Sequence, residues 1–374
     1  MRILYICEFS YPSICGVWSR VYSLSKEMLK KGHEVHVFSS NIIKGTGKIS
    51  EPYEAYEGIH IHRFPVNFSL GENALFWDFK NELLKLSPDV IDAQVYRHPH
   101  TNSIPRLARK IGAKCILTTH APFVDKSLRN WKLNTAVSLY DSLIGKRVIN
   151  SYDLVLAITR WEIPYLLKLG CRKNKIIYSP NGIPEEFFKS KPKSGNKNKI
   201  LFLGRIAPIK NIEVLIKALK IVNNPSIRLD LIGPAESNYK KKLVEMILDL
   251  KLEKQIKFVN PIYNLKKKIK AIDAASIFVL PSKREAMPQS LIEAMSRGKI
   301  CISSDTEGGK EIIKDEANGF IFKNGDEREL AENIKYCIKN SSKLGNIRKN
   351  ALQLSKKFNW KILSKEIEKI YSKA

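Results

Sequence analysis

Apolar runs of four to six residues recur along the whole chain, and amphipathic helical stretches separate them. That alternation, more than any other feature, limits what the chain can fold into. Ile3–Cys7, Glu34–Phe38, Ile59–Phe64, Val90–Ala93, Lys114–Thr119, Leu154–Ile158 and Lys175–Tyr178 read as strands. Trp18 to Lys31 reads as an amphipathic helix stopped by Gly32. Strand–helix alternation of this kind predicts an α/β fold with a doubly wound parallel sheet.

The pattern breaks once. Residues 181–198 carry Gly182, Pro184, Pro192 and Gly195 in a lysine-rich polar run, which reads as a linker. Strands then resume near Lys199–Leu203, Arg228–Ile232, Gln255–Val259, Ser276–Leu280, Lys299–Ile302 and Gly319–Phe322. The expected organisation is a Rossmann-like domain over 1–180, the linker, and a second Rossmann-like domain over 199–357. Two such halves joined by a hinge imply a cleft, a favoured place for ligands. The tail, 358–374, reads as a helix with Ile362, Leu363, Ile367 and Ile370 on its apolar face.

Formal charge is +27 over 374 residues. Residues 1–180 hold 25 cations against 15 carboxylates, and 181–374 hold 39 against 22, so the excess is not a tail. Such a chain seeks anionic partners, though screening over about 8 Å leaves only local clusters effective. Paired Cys/His spacings and aromatic nucleic-acid strings are lacking, so no nucleic-acid partner is expected. Six singly scattered cysteines favour reduced thiols in the cytoplasm. The short run Ile3–Cys7 is no signal peptide, and no stretch approaches a spanning helix.

The chemistry concentrates where Ser276–Leu280 ends. There Glu285-Ala-Met-Pro-Gln-Ser-Leu-Ile-Glu293 sets two carboxylates eight residues apart, on a loop and a helix expected to start near Pro288. Glu293 is placed about two turns into that helix. Glu285 falls at a strand's carboxyl end, where open α/β sheets bind ligands. A helix start suits a phosphate, so each carboxylate could hold hydroxyls at one end of a bound diphosphate. Read alone, the pair is equally a solvated loop acid and a surface helix acid. After Lys199–Leu203 come Gly204-Arg205 and then Lys210 at a helix start. Two cations on a strand-to-helix turn form an anion clamp, or else ordinary surface charge.

In the first half, Glu8 to Gly16 forms the loop after the first strand, and Gly16 either lets a ligand approach the backbone closely or is a simple helix-start glycine. His120 ends an apolar strand, where a structural and a functional histidine are equally at home. His60 and His62 share a strand face, and His98 and His100 flank Pro99, but neither pair has a third metal ligand nearby in sequence. His33 and His36 read as ordinary helix-to-strand residues. Residues 124–150 interleave Lys126, Arg129, Trp131, Lys132, Lys146 and Arg147 with Leu128, Leu133, Val137 and Leu143. This is either a helix pair packed on its own domain or a face for an anionic membrane.

Together the motifs resemble glycosyltransferase family four, with its two-domain GT-B fold. Gly204-Arg205, Lys210, Glu285, Glu293 and Gly308-Gly-Lys-Glu311 carry the resemblance in the second half; Gly16, Gly32-His-Glu-Val, His120 and Pro180-Asn181-Gly182 carry it in the first. The resemblance implies a retaining, metal-independent transferase that needs no cofactor and moves a sugar from a nucleotide-diphosphate donor. The acceptor is then a glycan or a lipid-linked glycan, and the enzyme is cytoplasmic or peripheral on the inner membrane face. It implies that Arg205 and Lys210 neutralise the diphosphate, Glu293 holds the ribose, Glu285 the sugar hydroxyls, and that His120 reaches the sugar from the first domain. It also implies that the tail helix returns to the first domain.

The sequence departs from the family in two places. Cys15 stands where the first of two adjacent glycines is usual. Ala286-Met287-Pro288 replaces a glycine-rich turn, and Pro288 cannot donate an N–H. Diphosphate contacts would then fall around Met287, Pro288, Gln289 and Ser290. Two other readings stay open: another enzyme on this architecture, such as a nucleotide-sugar epimerase or a phosphorylase, and a non-catalytic basic protein that binds polyanions.

Overall fold

The computed structural model describes residues 1–372 except 14, 47, 72, 73 and 124–129. The chain divides into two compact units, Met1–Asn181 with Trp360–Ala374, and Gly182–Asn359. The segment read as a linker is partly structured: Glu185–Phe188 is a short 3₁₀ helix with Phe187 buried, residues 189–195 are polar, mostly exposed and without regular structure, and the first strand of the second unit begins at Asn196, three residues earlier than expected. Arg297 fastens this segment by donating to the carbonyls of Phe187, Ser190 and Lys191.

The first unit contains β1 (Arg2–Ile6), β2 (Glu34–Ser40), β3 (Tyr53–Tyr56), β4 (Ile59–Phe64), β5 (Val66–Ser69), β6 (Leu75–Trp77), β7 (Val90–Gln94), β8 (Lys114–Thr118), β9 (Leu154–Ala157) and β10 (Ile176–Tyr178). Eight of them form a sheet in the order β10-β9-β8-β7-β1-β2-β4-β3, parallel except for β3 against β4. β1 lies inside the sheet with β2 on one side and β7 on the other, so chain direction across the sheet reverses there. Such a switch point opens a crevice at the strands' carboxyl ends.

The second unit contains β11 (Asn196–Leu203), β12 (Arg228–Ile232), β13 (Ile256–Val259), β14 (Ala275–Leu280), β15 (Ile300–Ser304) and β16 (Phe320–Phe322). They form one parallel sheet in the order β13-β12-β11-β14-β15-β16, with its switch point between β11 and β14. β14 is buried at every residue, as a central parallel strand with both faces covered must be.

The helix Trp360–Ser372 packs on the first unit, burying Trp360, Leu363, Ile367 and Tyr371 against Ile3, Tyr5 and Val90. Ile362, expected on the apolar face, is 49% exposed, because the inward stripe is set by Trp360 and steps in threes and fours from there. The Tyr371 hydroxyl donates to buried Asp92 at 2.6 Å. Fully buried Arg20 donates to the carbonyls of Ser179 and Pro180 and to Asn181 Oδ1, each at 3.1 Å, and pins the end of the unit's first segment.

Candidate functional site

In the second unit the two loops at the switch point meet. After β11 the chain passes Gly204 and Arg205 into a 3₁₀ turn, Pro208–Lys210, and then through Asn211 in the left-handed region (φ 50°) into the helix Ile212–Val222. Lys210 therefore precedes the helix instead of starting it. After β14 the chain runs through Ser282 to Glu285, and the backbone N–H of Lys283 donates to Ile209 O at 2.9 Å, tying the loops together. Lys210 Nζ lies 2.6 Å from Glu285 Oε1, and the Ser282 hydroxyl donates to the same oxygen at 2.6 Å. Both charged side chains are largely withdrawn from solvent. Arg205 differs: it is mostly exposed and lies 3.4 Å from Glu236.

The helix that follows runs Gln289–Ser296, with Pro288 as its N-cap residue. Glu293 is thus its fifth residue, one turn in and not two, because 285–288 are not helical. Met287 is buried, Gln289 donates its amide to Gly182 O at 3.4 Å, and Ser290 occupies the second helical position. Glu293 Oε1 accepts from Lys268 Nζ at 2.5 Å. Its Oε2 is buried and has no hydrogen-bond partner among the described residues. A lone pair left dry in this way costs about 1–3 kcal/mol, which a ligand hydroxyl would relieve.

The second glycine-bearing loop closes on the first carboxylate. Gly308 donates its N–H to Glu285 O at 3.1 Å. A Cβ on Gly308 would lie 2.6 Å from Ala286 O and 2.7 Å from Glu285 O. Only glycine allows the helix Glu307–Ile312 to come this near.

In the first unit His120 follows β8. Its Nε2 is 2.9 Å from Gln94 Oε1, and Gln94 Nε2 in turn donates to Asp92 O at 3.2 Å. With Gln94 presenting its oxygen, His120 Nε2 carries the proton and Nδ1 is left as an acceptor. Burial, reinforced by Arg20 and His98, pushes the imidazole pKa well below the usual histidine range, so the ring is neutral. His120 and Ala121 both have left-handed backbones, φ 58° and 48°, as do Val95 and Arg97 in the loop after β7. Such conformations cost about 1–3 kcal/mol each and survive where surroundings impose them. Glu162 supplies part of that constraint: it accepts from Thr119 Oγ1 at 2.7 Å, from Ala121 N at 3.0 Å and from Thr159 N at 3.1 Å. Burial pushes its carboxyl up to about 7 against those bonds.

Gly16 begins the helix Gly16–Lys30, capped by the Cys15 thiol, which accepts from Trp18 N. A Cβ there would meet nothing within 4 Å, so packing does not require the glycine, and the space in front of it is open. Cys15 therefore serves as a cap where sequence reading saw a replaced glycine. Glu8, in the same loop, is buried 3.1 Å from His98 Nδ1. His36, read as ordinary, lies 3.0 Å from His62 and stacks on His60. Among the described residues no group of three or more His, Cys, Asp or Glu could hold a metal ion.

Of the basic stretch 124–150, Lys126, Leu128 and Arg129 lie outside the described residues. The helix Trp131–Tyr140 buries no residue; Trp131 is 73% exposed, and Leu133, Leu139 and Leu143 are exposed by half or more. The stretch is mixed: Tyr140 at the end of this helix packs on the first unit's core, and the helix Lys146–Ser151 buries Val148 and Ile149 in it, while the face carrying Trp131, Leu133 and Leu139 stays exposed. Among the described residues no helix is long and apolar enough to cross a membrane.

Lys268, Ser282, Glu162 and Gln94 were not found from sequence. Lys268 is hidden in the run Lys266-Lys267-Lys268, and the others gain meaning only from partners far along the chain.

Residues 14–187 match the family described as Glycosyltransferase Family 4, and residues 184–354 match Glycosyl transferases group 1. An uncharacterized glycosyltransferase of Methanocaldococcus jannaschii is 26% identical over 398 residues, covering 100% of this chain and 98% of that protein. A phosphatidyl-myo-inositol mannosyltransferase of Mycobacterium leprae is 21% identical over 389 residues, covering 99% of this chain and 96% of that protein. Among solved structures, HepE of Anabaena in complex with UDP-glucose superposes with a TM-score of 0.77 at 19% identity, covering 100% of both chains. Sucrose-phosphate synthase of Thermosynechococcus elongatus gives 0.78 at 16% identity, covering 99% of this chain and 98% of that one.

Proposed function

The chain belongs to the glycosyltransferases of family four and group 1, with the fold of their solved members, and from that footing we propose that it moves a sugar with retention from a nucleoside-diphosphate donor to a glycan or lipid-linked acceptor, without a metal. The observation that carries the reading is Glu293. It sits one turn into the helix beyond the switch point, with one oxygen taken by Lys268 and the other buried and unanswered among the described residues. A ribose hydroxyl is a donor of the right kind for that oxygen.

On this reading Lys210 and Arg205 face the diphosphate. As the bond from the sugar to the phosphate oxygen breaks, negative charge gathers on the leaving group. Fixed cations then stabilise the transition state more than the ground state. The Lys210 ammonium has three donors, so it can keep Glu285 while serving a phosphate oxygen. Glu285 receives sugar hydroxyls, and backbone near Met287, Pro288, Gln289 and Ser290 lies beside the diphosphate. We assign His120 to the transferred sugar and Gly16 to the open approach before its helix. Attack on the face the leaving group vacates retains configuration, and the departing phosphate takes the acceptor's proton.

The exposed helix Trp131–Tyr140, with Lys132, Lys146 and Arg147 beside it, supports a lipid-linked acceptor at an anionic membrane. Cosedimentation with phosphatidylserine vesicles, lost in Trp131→Ser/Leu133→Ser, tests that part. The donor is tested by melting wild type and Lys210→Ala, in chelator, against UDP-, GDP-, ADP- and dTDP-sugars. One base class stabilising wild type alone is the expected result, and UDP is the first to try given the HepE complex. Silence across the panel from folded protein would overturn the proposal.

A further inference from the structure

A second basic site lies at the other edge of the second unit's sheet. Glu285 and Lys210 follow the carboxyl ends of β14 and β11. At the amino ends of the same strands is an open cavity of about 740 Å³. Ser276, near the start of β14, and Gly298, just before β15, lie on its wall. The six residues of β14 separate the two places by roughly 20 Å at about 3.3 Å per residue.

The cavity's charge is one-sided. Its wall carries Lys193, Lys197, Lys339, Arg348 and Lys349, and no carboxylate. Arg348 is half-buried. Its guanidinium donates to the hydroxyls of Ser276 and Ser341, each at 3.1 Å, and to Gly298 O at 3.5 Å. All three are neutral acceptors. None of the five wall cations has a carboxylate within 4.0 Å among the described residues. Directly behind the wall, buried Lys299 donates to Lys193 O at 2.5 Å and to Asp273 O at 3.2 Å, again two carbonyls.

A half-buried guanidinium is ordinarily paired with a counter-charge, since removing charge from water is costly unless an opposite charge answers it. Surface lysines alone carry no such meaning in a chain this basic. Arg348 does, because its planar donors are held by two hydroxyls at the wall of a cavity large enough for a small ligand. Guanidinium and ammonium groups are the donors that phosphate oxygens take, whereas the Ser276 hydroxyl already donates to Ser194 O at 3.2 Å. Ile338, Leu352 and Pro192 add an apolar wall that an organic body would touch.

We propose that this cavity is a second anion site, distinct from the donor site, that binds a phosphorylated small molecule through Arg348, Lys193 and Lys349. The proposal does not depend on the sugar-transfer reading, since its readout is binding.

The test uses the double variant Lys210→Met/Glu285→Leu, in which the donor clamp is disabled and no buried charge is stranded. Inorganic pyrophosphate and glucose 6-phosphate are titrated at low salt by calorimetry and by melting. The parent is compared with Lys193→Ser/Lys349→Ser, whose side chains are exposed, and with Lys241→Ser/Lys254→Ser, which removes the same charge elsewhere. Expected is binding of at least one probe, weakened tenfold or more in the Lys193/Lys349 pair and unchanged in the control pair. Tighter binding of glucose 6-phosphate would show the apolar wall in use; tighter pyrophosphate would show a site for phosphate groups alone. No binding by the parent, or equal loss in both pairs, would overturn the proposal. Arg348→Gln, where it folds, should match the Lys193/Lys349 pair.

Discussion

Glu293 holds Lys268 with one carboxylate oxygen, at 2.5 Å, and buries the other without a partner among the described residues. A group this costly to keep is retained for a ligand or lost. Glu293→Gln should weaken nucleotide-sugar binding by about tenfold to a hundredfold, a loss of roughly 1.4–2.8 kcal/mol, while raising or preserving the melting temperature of the free protein. Calorimetry and melting on one preparation check both halves. Unchanged donor affinity would remove Glu293 from the ribose.

Lys210 and Glu285 form a largely buried pair, so removing either strands the other. Lys210→Ala should destabilise the second unit by about 3–5 kcal/mol at most, the range for breaking such pairs, and should lower transfer at least a hundredfold. The double variant Lys210→Met/Glu285→Leu separates the two effects. It should recover most of the stability in urea and none of the transfer. Recovered transfer would show that the pair serves only the fold.

Gly308→Ala puts a Cβ within 2.7 Å of two carbonyl oxygens, both on the loop that holds Glu285. Backbone on both sides must move, so donor binding should fall even though no charged group is touched. Gly345→Ala meets nothing within 4 Å and is the matched control. Equal donor affinity in the two variants would show that the approach of 308 to 285 has no bearing on the site.

The histidine cluster of the first sheet predicts acid sensitivity. Burial pushes His62 down to about 4, with His36 and His60 adding and Glu82 opposing; burial also lowers His36, against the pull of Glu34, and Arg2 acts with burial. The Tyr53 hydroxyl faces His60. A histidine depressed in the folded state favours the fold above its unfolded pKa near 6.5. That contribution is lost as pH falls toward the folded value. Between pH 7 and pH 5 the folded state therefore loses stability through His62, with its partial exposure to solvent moderating the loss. Urea denaturation should show that loss, and His62→Asn should flatten it. A slope unchanged by the substitution would place the acid response elsewhere.

The fold was open to sequence reading where strands are buried on both faces. β14 and β11 are apolar runs that helices cannot mimic at that length, and their ends were placed within three residues. β3 and β5 escaped notice because both are edge strands of four residues with mostly exposed side chains, so they carry no continuous apolar signal. At the candidate site the glutamates, Arg205 and Lys210 stood out by order and spacing, but their partners did not. Lys268 looks like its neighbours Lys266 and Lys267 until the fold brings it to Glu293. Glu162 lies 42 residues from His120 in sequence, and no local pattern marks a carboxylate that shapes so distant a loop.

The helix Trp360–Ser372 also sets an order of events during synthesis. It fills the core of the first unit, yet residues 182–359 leave the ribosome before it does. At about 5–20 residues per second, those residues delay its arrival by roughly nine to thirty-six seconds. Through that interval the nascent first unit carries Ile3, Tyr5 and Val90 uncovered on one side and Asp92 without its tyrosine. The second unit has all its strands in hand and can fold at once. Maturation of the first half thus waits on a stretch translated after the whole second unit, and a chaperone that shields one apolar sheet face would find its substrate there.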